Sequence, residues 1–234
     1  MIRFFVIAVI GYSGALAEGS TITPIIGTEN SSGTWNLRSS PSGGPPDNTF
    51  NFGVGSWRPL LGDWNGSGHD GIGAFDPTTA TWFLRNTRSS GPPDAGVFAF
   101  GNLGWIPLVG DWTGAGKDGI GVFDPSTGFW YLRNTASAGA ADITFAFGAP
   151  GWIPVTGDWT GSGKTGIGVV DPATETWYLR NTPSAGAPDI TPFAFGAPGD
   201  KPLTGEDVTT PEPSSFVLVV MGLVGLYISS RRDT

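Results

Sequence analysis

One segment of about 47 residues is written four times along this chain of 234 residues. A tryptophan opens a Trp-x-Leu-Arg tetrapeptide in each copy, at spacings of 47, 48 and 47 residues: Trp35, Trp82, Trp130 and Trp177. A period of this length is typical of solenoids and propellers, in which each repeat is one supersecondary unit. The units cover about 23–69, 70–117, 118–164 and 165–206, and they fill the domain 18–206 with little left over.

Each unit contains four short apolar segments separated by turn residues. In the third unit we expect strands at 120–123, 130–133, 143–147 and 153–156, with Gly, Pro, Asp and Ser between them. Four-stranded units of roughly 40 to 50 residues form the blades of β-propellers. The sequence therefore predicts an all-β fold, with a four-bladed β-propeller as the leading interpretation. An open stack of sheets, or half of a larger dimeric propeller, is the alternative.

The N-terminal residues 1–17 have the features of a secretory signal peptide. Arg3 provides a positive charge, residues 4–10 are apolar, and Ala15 and Ala17 form the small-residue pattern that precedes signal cleavage. We predict cleavage after Ala17 and export of the protein. The alternative is a buried N-terminal strand.

Three features follow one another in the C-terminal segment 207–234. The tripeptide Pro211, Glu212 and Pro213 is followed by an apolar run at 216–228 and then by Arg231 and Arg232. A helix over this run would be about 20 Å long, short of the roughly 30 Å hydrocarbon core, although snorkelling arginines would help it to span. By itself the pattern indicates a permanent single-span anchor with the arginines on the cytoplasmic side.

These three features, in this order, resemble the PEP-CTERM sorting signal of Gram-negative bacteria. The resemblance implies two partners, the secretion machinery and an exosortase, which is a membrane-embedded transpeptidase-like enzyme that cleaves near the Pro-Glu-Pro. It also implies transient anchoring in the inner membrane through the helix. The implied destination is the cell envelope or the extracellular matrix, often beside exopolysaccharide production. The alternative is a permanently anchored envelope protein.

A Gly-Asp-Trp corner and a glycine-rich loop recur at Asp63, Asp111 and Asp158. Over about 23–206 the units resemble the FG-GAP/VCBS repeat, the integrin-type propeller blade. The resemblance implies a calcium loop at the corner, where alternating oxygen ligands hold the cation. Only the leading Asp persists here, so we expect at most weak calcium binding, at Asp63, Asn65 and Ser67, and no other cofactor. The alternative is that each leading Asp accepts hydrogen bonds from its own turn.

The residue composition excludes several kinds of site. The sequence has no cysteine and one histidine, which leaves no thiolate site and no two-histidine metal site within one chain. The formal net charge of −8 makes nucleic acid an unexpected partner. Acids recur six residues before the repeat tryptophans, at Glu29, Asp76, Asp124 and Asp171. A carboxylate that recurs in every unit more simply does the same local job four times than forms half of a catalytic pair, so we expect no enzymatic activity. Asp76, Asp124 and Asp171, which precede proline, are predicted turn residues.

Two further sets of tryptophans recur in the units. Trp57, Trp105 and Trp152 lie in a loop just before a strand, where Asp200 is the fourth-unit counterpart, and Trp64, Trp112 and Trp159 follow the corner Asp. Exposed indoles stack on sugar rings, whereas buried ones fill the space between blades. The loop set is the more exposed on this interpretation, and it is the candidate ligand-binding site. Packing between blades is the favoured interpretation for these two sets and for the repeat tryptophans, and ligand binding by the loop set is the alternative.

Together these patterns predict a secreted, exosortase-processed protein of the cell surface or extracellular matrix. We expect a non-catalytic binding or structural module whose partner is a polysaccharide or a surface protein. The membrane is expected to be contacted only through the C-terminal helix before processing. The alternative is a secreted carbohydrate-active enzyme on a propeller scaffold, which would need unique carboxylates in unlike environments.

Overall fold

The computed structural model describes residues 5–8, 26–39, 43–197, 199–202 and 204. Within these ranges the chain forms sixteen β-strands and no helix. The predicted signal cleavage site at Ala15 and Ala17 and the sorting signal at 211–232 lie outside the described residues.

The sixteen strands pair antiparallel, in chain order, into four four-stranded sheets. They are β1 (Phe5–Ala8), β2 (Ile26–Glu29), β3 (Thr34–Arg38), β4 (Asn48–Asn51), β5 (Arg58–Gly62), β6 (Gly71–Asp76), β7 (Thr81–Arg85), β8 (Gly96–Ala99), β9 (Ile106–Gly110), β10 (Gly119–Asp124), β11 (Phe129–Arg133), β12 (Ile143–Ala146), β13 (Ile153–Gly157), β14 (Gly166–Asp171), β15 (Thr176–Arg180) and β16 (Phe193–Ala194). The sheets β1–β4, β5–β8, β9–β12 and β13–β16 are arranged as blades 1 to 4 of a four-bladed β-propeller, which confirms the predicted fold.

The sheets are offset by one strand from the units into which we divided the sequence. That division places 153–156 at the end of the third unit, whereas β13 pairs with β14 and begins the fourth sheet. The first strand of a blade lies innermost, because β9 contacts both β5 and β13. Each sheet therefore begins one strand earlier in the chain than the corresponding sequence unit.

The Trp-x-Leu-Arg strands bury alternate residues, as expected when successive side chains point to opposite faces of a sheet. In β11 the side chains of Trp130 and Leu132 are buried, and Tyr131 between them is half-buried on the other face. The Trp130 indole donates a hydrogen bond to the backbone oxygen of Phe147 at 2.9 Å. This bond ties the third strand of the blade to the segment that follows the fourth.

The hydrophobic core lies between successive blades. One cluster joins the Trp and Leu face of a blade to the Ile and Val face of the next, and the two best-defined examples contain Trp82, Leu84, Ile120 and Val122, and Trp130, Leu132, Ile167 and Val169. Because each unit carries both faces, the same sequence can be stacked repeatedly without a new interface.

The middle glycine of the second strand allows this close packing. A Cβ atom added at Gly121 would lie 2.5 Å from Cδ2 of Leu132 on the neighbouring strand. Real side chains do not approach so closely, so the position accepts only glycine without a shift of the leucine.

Candidate functional site

The three loop tryptophans adopt the same stacked arrangement in blades 2, 3 and 4. The ring centroids are 4.4 Å apart for Trp57 and Phe83, 4.6 Å for Trp105 and Tyr131, and 4.7 Å for Trp152 and Tyr178. The interplanar angles are 10°, 13° and 18°, so the rings are nearly parallel. All six rings are half-buried, and each pair therefore forms a platform that is partly open to solvent.

A tight turn positions each loop tryptophan. The N–H of Trp105 donates to the backbone oxygen of Asn102 at 3.2 Å, and the N–H of Trp152 donates to that of Ala149 at 3.1 Å. Gly104 and Gly151, with φ of 79° and 81°, take the third position of these turns, where a positive φ is required. The aromatic partner is the second residue of Trp-x-Leu-Arg, which points away from the buried face.

Two of the stacked pairs line equivalent grooves where one blade meets the next. The groove between blades 1 and 2 has a volume of about 320 Å³, and its lining includes Phe52, Trp57, Phe83 and Pro93. The groove between blades 2 and 3 has a volume of about 300 Å³ and is lined in part by Phe100, Trp105, Val122 and Tyr131. Both grooves combine an aromatic floor with few hydrogen-bonding side chains.

The corner tryptophans, in contrast, are structural. Trp64 and Trp112 are buried, and their indole N–H groups donate to the backbone oxygens of Ile72 and Ile120 at 3.1 and 3.2 Å. Trp159 is half-buried and makes the corresponding bond to Ile167 at 3.1 Å. Both sets pack against the clusters between blades. They differ in that none of the three loop tryptophans is fully buried, whereas two of the three corner tryptophans are.

The candidate calcium residues lie together, but the Asp63 carboxylate is occupied by its own loop. Its Oδ1 atom accepts hydrogen bonds from the N–H groups of Gly66 at 2.8 Å and Ser67 at 3.0 Å, and its Oδ2 atom accepts one from Gly68 at 2.6 Å. The Asn65 side-chain oxygen accepts a bond from the Ser67 N–H at 3.0 Å. These are the contacts of the alternative interpretation, in which the leading Asp holds the turn.

The same loop geometry recurs at Asp111, which accepts from Gly114 and Gly116, and at Asp158, which accepts from Gly163. Among the described residues, no group of three acidic or histidine side chains converges to hold a metal ion. Weak calcium binding at Asp63, Asn65 and Ser67 stays a prediction.

A buried carboxylate that the sequence did not single out as structural joins blades 2 and 3. The N–H of Asp63 donates to Oδ2 of Asp118 at 2.7 Å, and the N–H of Asp118 donates to the backbone oxygen of Asp63 at 2.9 Å. Burial raises the pKa of Asp118 well above its ordinary value, and the neighbouring Asp70, Asp63 and Asp111 carboxylates add to the increase. The hydrogen bond from Asp63 acts in the opposite direction.

Glu29 does not have the role of the three acids with which the spacing from the repeat tryptophan aligned it. Glu29 is paired with Trp35, as Phe75 is paired with Trp82, so Glu29 takes the place of a core phenylalanine. The turn contact is made instead by Asn30, whose side-chain oxygen accepts from the N–H of Ser32 at 2.9 Å and of Thr34 at 3.1 Å. Glu29 is buried, and this burial raises its pKa to about 7.

Residues 209–232 match the PEP-CTERM protein-sorting motif. The match includes the Pro-Glu-Pro tripeptide, the apolar run and the arginine pair. It indicates a secreted protein that is targeted to an exosortase and anchored in the membrane through its C-terminus before processing. No curated protein and no solved structure matches the chain. In the part of the chain that the structure describes, no helix has the length and apolar character needed to cross a membrane.

Proposed function

We propose that this protein is a non-catalytic, polysaccharide-binding component of the cell surface or extracellular matrix. The observation that carries the proposal is the recurrence of one half-buried aromatic stack at the same place in three successive blades. All three platforms keep part of each ring in contact with solvent, whereas the corner tryptophans Trp64 and Trp112 are buried.

The chemistry of the grooves suits sugar rings. A pyranose presents C–H groups on one face, which pack on an indole, and hydroxyls at its edge, which remain solvated or bond to nearby polar groups. Asn51 and the Tyr131 hydroxyl belong to the residues that line the two grooves and supply such polar groups. The net charge of −8 disfavours a polyanion, so we propose a neutral polymer as the ligand.

Repetition compensates for weak individual contacts. A single shallow platform gives low affinity, but three on one rigid scaffold turn the second and third contacts with a polymer into intramolecular events. The effective concentration then raises the apparent affinity by roughly 10²-fold or more.

We also propose that the repeats belong to the FG-GAP/VCBS type, on the basis of the Gly-Asp-Trp corner.

A catalytic role has less support from the described carboxylates. A glycosidase needs two carboxylates in unlike environments that face a common cleft. The Asp76 and Asp124 side chains accept hydrogen bonds within their own turns, which lower their pKa values, and Asp118 is engaged between blades. Each of these acids therefore has a structural role that is repeated along the chain.

The test is binding of the secreted protein to a panel of neutral and acidic polysaccharides, measured by affinity electrophoresis and calorimetry. Trp105→Ala should lower the affinity several-fold, and replacing Trp57, Trp105 and Trp152 together should abolish binding. Leu103→Ala is the matched control, because Leu103 lies in the same turn and is 67% exposed. Unchanged binding by the triple variant, or hydrolysis of a glycan that is lost when one Asp is changed, would overturn the proposal.

A further inference from the structure

The segment 200–204, after the last blade, repeats the sequence that begins each of blades 2, 3 and 4. Gly-Ala-Pro-Gly-Asp-Lys-Pro-Leu-Thr-Gly at 196–205 follows the pattern of Gly-Ala-Pro-Gly-Trp-Ile-Pro-Val-Thr-Gly at 148–157. The last five residues of 148–157 form β13, the innermost strand of blade 4. The chain thus carries the sequence of a fifth inner strand after four complete blades.

The described residues of this segment already have the local geometry of an inner strand and its preceding turn. The N–H of Asp200 donates to the backbone oxygen of Ala197 at 2.9 Å, in the same turn that positions Trp152. The Thr204 hydroxyl donates to the backbone oxygen of Thr156 at 2.7 Å, and the Thr156 hydroxyl donates to that of Val109 at 3.3 Å. Thr204 is therefore related to β13 as Thr156 is related to β9.

In the part of the chain that the structure describes, the outer face of blade 4 is largely exposed. In blade 3 the rings of Phe145 and Phe147 are each only 7% exposed, because blade 4 packs on them. The equivalent rings in blade 4, Phe193 and Phe195, are 42% and 71% exposed. Among the described residues, this face of blade 4 is therefore less covered than the equivalent face of blade 3.

Blade 1 and the segment 200–204 carry matching polar residues at the two positions of the stacked pair. In blades 2 to 4 a loop tryptophan stacks on the second residue of Trp-x-Leu-Arg, and in blade 1 that residue is Asn36. The loop position that precedes the fifth inner strand is Asp200 rather than tryptophan. Asp200 and Asn36 thus replace both aromatic residues of the stacked pair with polar ones, as expected if Asp200 faces Asn36.

We propose that in the processed protein the segment 200–204 is the inner strand of blade 1 and closes the ring by pairing with β2. In the structure β1 holds this place, with Val6 opposite Thr28 and Phe5 opposite Glu29. The inference rests on the proposed export, since removal of residues 1–17 also removes β1 and exposes the edge of β2. The register of the other blades then places Pro202 opposite Thr28, as Pro107 is opposite Val122.

The same register provides a partner for the buried carboxylate of Glu29, which takes the place of a core phenylalanine. Lys201 is placed opposite Glu29, where Ile106 is opposite Phe123 in blade 3. A lysine ammonium group at this position supplies the counter-charge for a buried carboxylate. The occupant is the chain's own segment rather than that of a second copy, because Thr204 is already bonded to blade 4 of the same chain.

An engineered disulfide tests this pairing. The chain has no cysteine, so Thr28→Cys with Pro202→Cys provides the only two thiols. Proline cannot donate a ladder hydrogen bond, so its position belongs to a non-hydrogen-bonded pair, where the Cα atoms are about 4.5 Å apart and a disulfide can form. Pro107→Cys with Val122→Cys is the matched control, because these residues are paired in the same register in blade 3.

The measurement is the intact mass of the secreted protein under non-reducing conditions, combined with a thiol count. We expect an intramolecular disulfide in a yield comparable to that of the control pair, and free thiols in a precursor whose signal cleavage is blocked. Free thiols in a protein that has lost residues 1–17, or a disulfide-linked dimer, would overturn the closure. Retention of residues 5–8 in the secreted protein is read from the same mass, and it would overturn the proposed processing and, with it, the closure.

Discussion

Asp118 and Asp63 exchange two hydrogen bonds across the boundary between blades 2 and 3, at 2.7 and 2.9 Å. Thr165 and Asp111 make the same exchange between blades 3 and 4, with the threonine hydroxyl in place of the carboxylate and both distances 2.9 Å. One interface thus uses a buried acid, and the next uses a neutral group for the same contact. This difference between the two interfaces leads to a test of stability against pH.

We predict that Asp118→Thr folds normally. Its free energy of unfolding, relative to that of the wild type, should increase as the pH rises. The pKa of Asp118 is raised in the folded state, so the stability that its protonated form contributes is present at low pH and is lost as the pH rises above the unfolded value. Threonine carries no such dependence. Thermal unfolding between pH 4 and about 8 measures the difference between the two midpoints.

The control for this prediction is Asp118→Ala, which removes the acceptor for the Asp63 N–H. A buried donor without a partner costs about 1–3 kcal/mol, so this variant should be less stable than Asp118→Thr at every pH. Equal stability of the threonine and alanine variants would mean that the exchange across the boundary contributes nothing.

The carboxylate of Asp63 should stabilise the protein without calcium. We expect Asp63→Ala to lower the free energy of unfolding by about 1–3 kcal/mol, because backbone N–H groups of the loop lose their acceptor. Most of this loss should already be present with a chelator, and millimolar calcium should add only a few tenths of a kcal/mol to it. Denaturant unfolding measures it, and a micromolar calcium effect that disappears in the variant would contradict the prediction.

Gly121→Ala should destabilise the protein by about 1–3 kcal/mol, since the added Cβ atom lies too close to Leu132. Gly43→Ala is the matched control, because a Cβ atom at Gly43 would have no atom within 4 Å. The two variants differ from the wild type by the same methyl group, so their chemical denaturation midpoints isolate the effect of packing. Equal midpoints would show that Leu132 moves aside freely.

The repeat period was sufficient to predict the number of sheets and their strands, since each period holds four apolar segments. It could not predict where a sheet begins, because a period has the same length from any starting point. The pairing of strands by hydrogen bonds determines where each sheet begins, and it places β13 in the same sheet as β14. Spacing alone also aligned Glu29 with Asp76, because the connection before Trp35 is one residue shorter than the connection before Trp82.

The loop tryptophans Trp57, Trp105 and Trp152 are partly exposed, as their position before a strand suggests, but their stacking partners were not predicted. A signal for the partners was present in the repeats. The second residue of Trp-x-Leu-Arg is aromatic in the three units whose loop carries tryptophan, and it is Asn36 in the first unit. Comparing two positions across the units would have connected them, whereas considering each tryptophan separately did not.

The order of strands within a blade also has a consequence for folding during export. All four strands of blade 3 lie between Ile106 and Ala146, so a blade can pair completely as soon as a short length of chain has crossed the membrane. Contacts between residues that are close in sequence form quickly, whereas contacts between distant residues form slowly. Blades 2 to 4 should therefore assemble in chain order as they leave the secretion channel, before the sorting motif at 209–232 reaches the membrane. Blade 1 is completed last, when the segment 200–204 has crossed.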